Sequence, residues 1–246
     1  MIEKTAIVET TQIGENVSIG NFAIIKSGVI LGNNVTIHPN VIIETGVTIG
    51  NNVEIFPGAY LGKRPKNSGA LTREPEYEKE RIIIGENCSI GPNAIIYYDV
   101  FIGKNTLIGD NVSIRERVTI GEFCVIGRGV TISYNSHIGN RTKIMDLTHI
   151  TGNCEIGEDV FISTLVATTN DNTFGKGGHG KEHIKGPKIG NGAAIGANAS
   201  LLPGVVIGDN AIVASSAVVT KDVPSRALVM GIPAQIVRFI NDEGNR

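Results

Sequence analysis

Residues 102–126 read IGKNTLIGDNVSIRERVTIGEFCVI, and an isoleucine falls on every sixth residue: Ile102, Ile108, Ile114, Ile120 and Ile126. The same beat runs back to Ile84 and on to Ile162 without a miss. It also holds from Ile7 to Leu61 and resumes from Ile189 to Val219. A period sustained this long marks a repeat architecture, in which each unit buries its apolar face only against its neighbours. Two residues before the large aliphatic stands a smaller one, as at Val35, Val53, Val112, Val118, Val130 and Ala199. Side chains two apart share one face of a strand. Each hexapeptide is therefore a short strand that points a small and then a large residue inward.

The rest of the unit is corner. Gly32-Asn33-Asn34 and Gly109-Asp110-Asn111 carry the residue types that tolerate positive φ. Three strands and three corners close an 18-residue triangular coil, and stacked coils pair strand on strand in parallel, about 4.8 Å apart. The aliphatic positions predict about ten coils. A composition of 31 Gly, no Trp and 5% aromatics suits a core filled in thin aliphatic layers.

A formal net charge of −2 gives no basic surface for nucleic acid. No apolar run is long enough for a signal peptide or a membrane span, so the reading is a cytoplasmic protein that binds neither nucleic acid nor membrane. Cys88, Cys124 and Cys154 all fall in the small inward column. Cys88 and Cys124 lie two coils apart, roughly 9–10 Å, too far for a disulfide. They read as core fillers in a reducing compartment.

Two polar excursions interrupt the period, at about 62–81 and 169–188. Long loops on a regular scaffold carry function more often than the scaffold does. Counting on by sixes from Ile84 returns Ile96, Ile114, Ile132, Ile150 and Thr168 to the face of Leu61. Both excursions are thus predicted to leave one edge of the prism, about 24 Å apart. Residues 18 apart stack on that edge. One column reads Glu116, Tyr134, Gly152, Asn170 and the next Arg117, Asn135, Asn153, Asp171, with His149 pointing outward on the strand that enters the edge. Such side chains exceed what a corner needs and make this edge the candidate site.

The segment KIGNGAAIGANASLLPGVVIGDNAIVASSAVVTKDVPSRALVMGIPAQIV (188–237) resembles the acyl-CoA-binding end of bacterial hexapeptide-repeat acyltransferases, through ANA…LPGV.IG, AVVTKDVP and GIPA. Residues 139–163 and VSIRERVTIG are similar to the acyltransferases of lipid A synthesis. Thr169-Asn170-Asp171, the long N-terminal repeat and the loop near residue 70 look most like nucleotide-sugar N-acyltransferases acting on dTDP-amino-dideoxyhexoses.

The resemblance implies an all-β, left-handed parallel β-helix over 1–233 with a short C-terminal helix and tail over 234–246, the helix itself spanning 234–241. It also implies a homotrimer with sites between subunits. Outward Ile24, Ile30, Ile42, Ile83 and Ile95 supply an apolar strip for pairing. The implied co-substrate is an acyl-CoA, most simply acetyl-CoA, and the implied acceptor a nucleotide-linked amino sugar. Pantetheine would lie along a strip of small residues, Gly196 with Ala214 and Ala197 with Ser215. Lys221 and Arg226 would meet CoA phosphates. Lys63, Arg64, Arg73 and Tyr77 of the first excursion would hold a diphosphate and a base. Tyr134, Asn153, Glu116 and Arg117 would bind acceptor on the edge.

The sequence departs from its relatives at the base. His149-Ile150-Thr151-Gly152-Asn153-Cys154 keeps the first His of H-I-x-H-[DN]-C and has Gly152 for the second. Asn170, Asp171 and Asn172 stand where other relatives place a His at the start of the long loop. An alcohol is a poor nucleophile without a base, whereas a free sugar amine attacks a thioester directly. The expected reaction is direct N-acyl transfer in a ternary complex, Asn170 orienting the acceptor and His149 and Asp171 as candidate proton acceptors. Rival readings are an O-acyltransferase on a sugar or lipid A precursor, and a non-catalytic scaffold. No metal is expected: a γ-carbonic-anhydrase-like site needs three converging His. Here His137 and His149 sit on different faces, His179 and His183 share a loop, and His38 is remote.

Overall fold

The computed structural model describes residues 1–70, 74–174, 176 and 183–240. Short strands, mostly of two residues, stack into three flat sheets that form the faces of a prism. The first face holds eleven strands, from Ile7–Val8 to Val218–Val219. The second holds ten, from Gln12–Ile13 to Val206–Ile207, and the third twelve, from Ser18–Ile19 to Gln235–Phe239. Pairing between coils is parallel and keeps the 18-residue register, as in Thr131↔His149 and Ile132↔Ile150. The prism is longer than the ten coils expected. The count of aliphatics passes over the coil closed by Thr168, which is buried although polar, and the final turn built on Val223 and Val229.

The core consists of the two inward columns. Ile90, Ile114, Ile126 and Ile138 are fully enclosed, and the smaller residues two positions earlier fill the spaces beside them. Corner conformation explains the Asn-rich turns. Asn34, Asn52 and Asn111 take φ of 57°, 57° and 56°, a region costly for most L-residues. Their amides also form a ladder up the corner, Asn34 Nδ2 donating to Asn52 Oδ1 at 3.0 Å and Asn52 Nδ2 to Asn87 Oδ1 at 3.0 Å. The preceding Gly is required by proximity: a Cβ on Gly103 would stand 2.6 Å from the carbonyl carbon of Gly121 one coil on.

All three thiols are buried, and burial pushes Cys154 up to about 12. The reactive species is the thiolate, so the native protein is expected to be inert to an aromatic disulfide reagent at neutral pH. All three thiols should then titrate once urea unfolds it. Rapid labelling of the folded protein would show that the solenoid opens locally at these coils.

The C-terminal helix expected over 234–241 does not form. Gln235–Phe239 is a strand, antiparallel to Ala227–Met230. Ile236, Val237 and Phe239 favour a pleated surface, and the hairpin covers the unpaired edge of the third face, which would otherwise be open to association. Residue 241 and the rest of the tail lie outside the described residues. Among the described residues no helix is long and apolar enough to cross a membrane.

Candidate active site

Both excursions leave the same edge, where the first face turns into the second. The first lies between strands Tyr60–Lys63 and Ile82–Ile84, and the second between Ala167–Thr168 and Lys188–Ile189. Lys63 and Lys188 belong to the flanking strands, so the first excursion proper begins later, and the second ends earlier, than the period suggested. Five coils separate them, with Tyr98, Glu116, Tyr134, Gly152 and Asn170 stacked up the edge.

The first excursion folds along the edge toward the second. Tyr77 lies parallel to Tyr98, ring centroids 6.4 Å apart, and the Glu78 amide donates to Asp99 Oδ2 at 3.0 Å. Glu76 reaches Arg117 at 3.6 Å. Arg64 donates to both oxygens of Glu80, at 2.8 and 2.9 Å, and this guanidinium holds the Glu80 carboxyl below its usual range. The expected diphosphate cradle is therefore changed: Arg64 and Arg117 already face carboxylates. Lys63 instead stands over the Tyr97 ring, 5.1 Å from its centroid, and Arg115 lies 4.9 Å from the same centroid. Arg73 lies outside the described residues.

Glu116 is fully buried, and Arg115 grips it, Nε to Oε2 at 2.8 Å and Nη2 to Oε1 at 3.2 Å. Tyr97, Tyr98 and Arg115 line the same edge without belonging to the residues expected there. The signal was present in the spacing, since 97 and 115 are 18 apart and stand where the strand enters the edge, in positions that a plain corner does not fill with large side chains.

Higher on the edge the ring of Tyr134 lies flat on Gly152. A Cβ there would meet three ring carbons at 2.6, 2.7 and 2.9 Å. The space that a side chain at residue 152 would enter is thus filled by an aromatic ring from the coil below. Asn135 Nδ2 donates to Asn153 Oδ1 at 2.7 Å, and Asn153 Nδ2 donates to the Ile184 carbonyl at 3.2 Å. Asn170 Nδ2 donates to the Gly152 carbonyl at 3.1 Å, while its own backbone carbonyl accepts from the Lys185 amide. Asp171 pairs its backbone with Ile184, and its Oδ1 accepts from the amide and hydroxyl of Thr173 at 2.7 Å each. These bonds tie the return of the second excursion to the edge and make Asn153, Asn170 and Asp171 partly structural.

His149 stands outward on the first face, on the strand that leads into this edge, with Nδ1 2.7 Å from Thr131 Oγ1. The side chain is exposed on this face, and partial burial of its ring against the neighbouring strands lowers its pKa from the ordinary 6.5. The ring is therefore neutral at pH 7, the form able to accept a proton.

The candidate cofactor residues do not converge within one chain. Gly196, Ala197, Ala214 and Ser215 form the expected smooth strip, Gly196 seated against the Ser215 amide, but on the edge between the third and first faces. Lys221 lies at the excursion edge and Arg226 at the third corner, between the second and third faces. The first face, carrying His149, separates the small-residue strip from the excursion edge. No group of three or more His, Cys, Asp or Glu able to hold a metal ion occurs among the described residues, and His179 lies outside them.

The description bacterial transferase hexapeptide (six repeats) matches residues 10–45, 28–63 and 186–221, and the GMPPB C-terminal domain matches 78–174. Galactoside O-acetyltransferase of Escherichia coli (strain K12) is 43% identical over 54 residues, 22% of this chain and 27% of that protein. A 2,3,4,5-tetrahydropyridine-2,6-dicarboxylate N-acetyltransferase of Enterococcus faecalis is 46% identical over 55 residues, 22% of this chain and 24% of that protein. The chain thus spans about a quarter of the length of these relatives. The crystal structure of Arabidopsis UDP-N-acetylglucosamine acyltransferase superimposes with a TM-score of 0.67 at 22% identity, covering 99% of this chain and 75% of that one. At that identity the likeness is one of fold.

Proposed function

We propose that this chain, a hexapeptide-repeat protein of the bacterial transferase type, is an acyl-CoA-dependent N-acyltransferase acting on a nucleotide-linked amino sugar. The observation that carries the reading is the Tyr134 ring lying on Gly152. It fills the space that a side chain at residue 152 would enter and leaves His149 as the imidazole on the strand entering the edge, so the acceptor is one that needs little help to attack. A sugar amine, nucleophilic as its free base, meets that requirement more readily than a hydroxyl, which must give up its proton as it attacks.

In this reading the amine, as free base, attacks the thioester carbonyl in a ternary complex. The C–N bond forms, the C–S bond breaks, and the CoA thiolate leaves, receiving from protonated His149 the single proton released by the amine. His149 accepts the proton that the amine sheds. The protein's main contribution is to fix amine and carbonyl in attacking geometry, with backbone N–H groups polarising the carbonyl. In this reading the small-residue strip of Gly196, Ala197, Ala214 and Ser215 receives the pantetheine arm. That strip and the excursion edge lie on opposite sides of the first face, so in this reading a complete site needs one subunit's strip facing another's edge, in keeping with the homotrimer that the resemblance implies.

Incubation with acetyl-CoA and a panel of dTDP- and UDP-linked amino sugars, read by free-thiol release, tests the reading. Thiol should appear with an amino sugar and be at least about 100-fold slower with the corresponding hydroxyl sugar. Comparable rates with the hydroxyl sugar would move the assignment to O-acyl transfer. Failure to retain CoA at all would leave a scaffold.

His149 gives the reaction a defined pH dependence. The strands on either side present Thr131 and Ala167, neither charged, and desolvation favours the neutral ring. The acid limb of kcat/KM attributable to His149 should therefore lie below pH 6.5, activity falling as pH drops through the lowered pKa and the ring becomes protonated. His149→Gln should remove that limb and slow transfer about 100-fold, the lower end of what a positioned base contributes. An unchanged rate and profile would show that the thiolate or solvent takes the proton.

A further inference from the structure

We propose that Thr131 is a positioning residue for His149, holding Nδ1 so that Nε2 is presented outward as the proton-accepting atom. The inference rests on the reading of His149 as the base and adds the group that aims it.

Thr131 and His149 are direct partners in the parallel ladder of the first face, so their side chains leave the sheet side by side. The 2.7 Å contact joins Thr131 Oγ1 to Nδ1, the nitrogen nearer the backbone. The strand on the other side of His149 contributes Ala167, too small to cover the ring or to bond it. Among the described residues, Thr131 is thus the hydrogen-bond partner of the imidazole.

A hydroxyl can donate or accept. In the ring form that can act as a base at Nε2, Nδ1–H donates to Thr131 Oγ1 and the Nε2 lone pair is open. When Nε2 takes a proton, the Nδ1–H bond is unchanged, so the ring need not reorient during transfer. A carboxylate in the same place would also orient the ring, but it would favour the charged imidazolium. A neutral hydroxyl orients it without that bias. The arrangement also occurs one face away, where His137 Nδ1 lies 2.9 Å from Thr119 Oγ1. That pair stands on the second face, on the strand that leaves the excursion edge, and provides an internal control.

The test uses Thr131→Val, which keeps the shape and removes the hydroxyl, with Thr131→Ser as its rescue and Thr119→Val as control. ¹⁵N NMR of the ligand-free protein reads the protonation of each His149 ring nitrogen. In the wild type Nδ1 should carry the proton. Thr131→Val should shift the ring toward the Nε2–H form and lower kcat on the order of 10-fold, part of the 10²–10⁴ available from a positioned base, with KM within about twofold. Thr131→Ser should restore both readings, and Thr119→Val should alter His137 alone. An unchanged His149 tautomer in Thr131→Val, or a loss confined to KM, overturns the inference. If His149→Gln is fully active, the base assignment fails, while the NMR measurement still decides whether Thr131 holds the ring.

Discussion

Replacing Gly152 by alanine is expected to lower kcat/KM about 100-fold while the solenoid stays folded. The added Cβ would stand 2.6–2.9 Å from three carbons of the Tyr134 ring, closer than non-bonded carbons approach. The ring can swing away about its own side-chain torsions, whereas the corner backbone is fixed by the Asn153 amide bonded to the Tyr134 carbonyl at 3.0 Å. Movement falls on the ring, and the stability cost should stay within the roughly 1–3 kcal/mol usual for overpacking. Activity is more sensitive, since a displacement of about 1 Å at a positioning group can cost on the order of 10²-fold. Tyr134→Ala should lose as much. The double variant should be no worse than Tyr134→Ala alone, because both changes remove one feature. Steady-state kinetics beside thermal unfolding separates the effects, and a fully active Gly152→Ala enzyme would remove Tyr134 from acceptor binding.

Arg115→Ala should destabilise the protein by about 3 kcal/mol, the lower end of the loss expected when one partner of a buried ion pair is deleted. Glu116 has no exposed side-chain surface, and Arg115 supplies it with two charge-assisted hydrogen bonds. The lower end is appropriate because Arg115 itself retains 30% exposure, so water can enter part of the space it leaves. Glu116→Gln in the Arg115→Ala background should recover most of the loss by removing the buried charge. Urea unfolding of the single and double variants measures both quantities. A loss below about 1 kcal/mol for Arg115→Ala would mean that the carboxylate finds enough other partners on the edge.

The first of these expectations depends on a contact between coils, and the second on the side-chain conformation of two neighbouring residues at a corner. The role of residues 84–162 as strands and corners could be read directly, because Ile120 or Ile126 needs only its own six-residue neighbourhood to point inward. The same counting placed both excursions on one edge and stacked Tyr134, Gly152 and Asn170 there. It did not reveal that the Tyr134 ring fills the space over Gly152, that Arg115 closes over Glu116, or that Arg64 is already paired with Glu80. Long side chains have several rotamers, and the choice among them is made by atoms one or more coils away. The C-terminal strand illustrates the same limit. Residues 235–239 have no repeat register, and their conformation is set by the open edge of Ala227–Met230 to which they bind.

The prism, its inward columns and the phase of its interruptions are consequences of residue order alone, because side-chain direction in a strand alternates and an 18-residue coil repeats that alternation without drift. The furnishing of the edge is not. Folding set His149 against Thr131, laid the Tyr134 ring over Gly152, and placed the small-residue strip one face away from the excursions. Those features arise from packing between coils, where burial, pairing of charge and the space left by a glycine select one arrangement from several that the same residues allow.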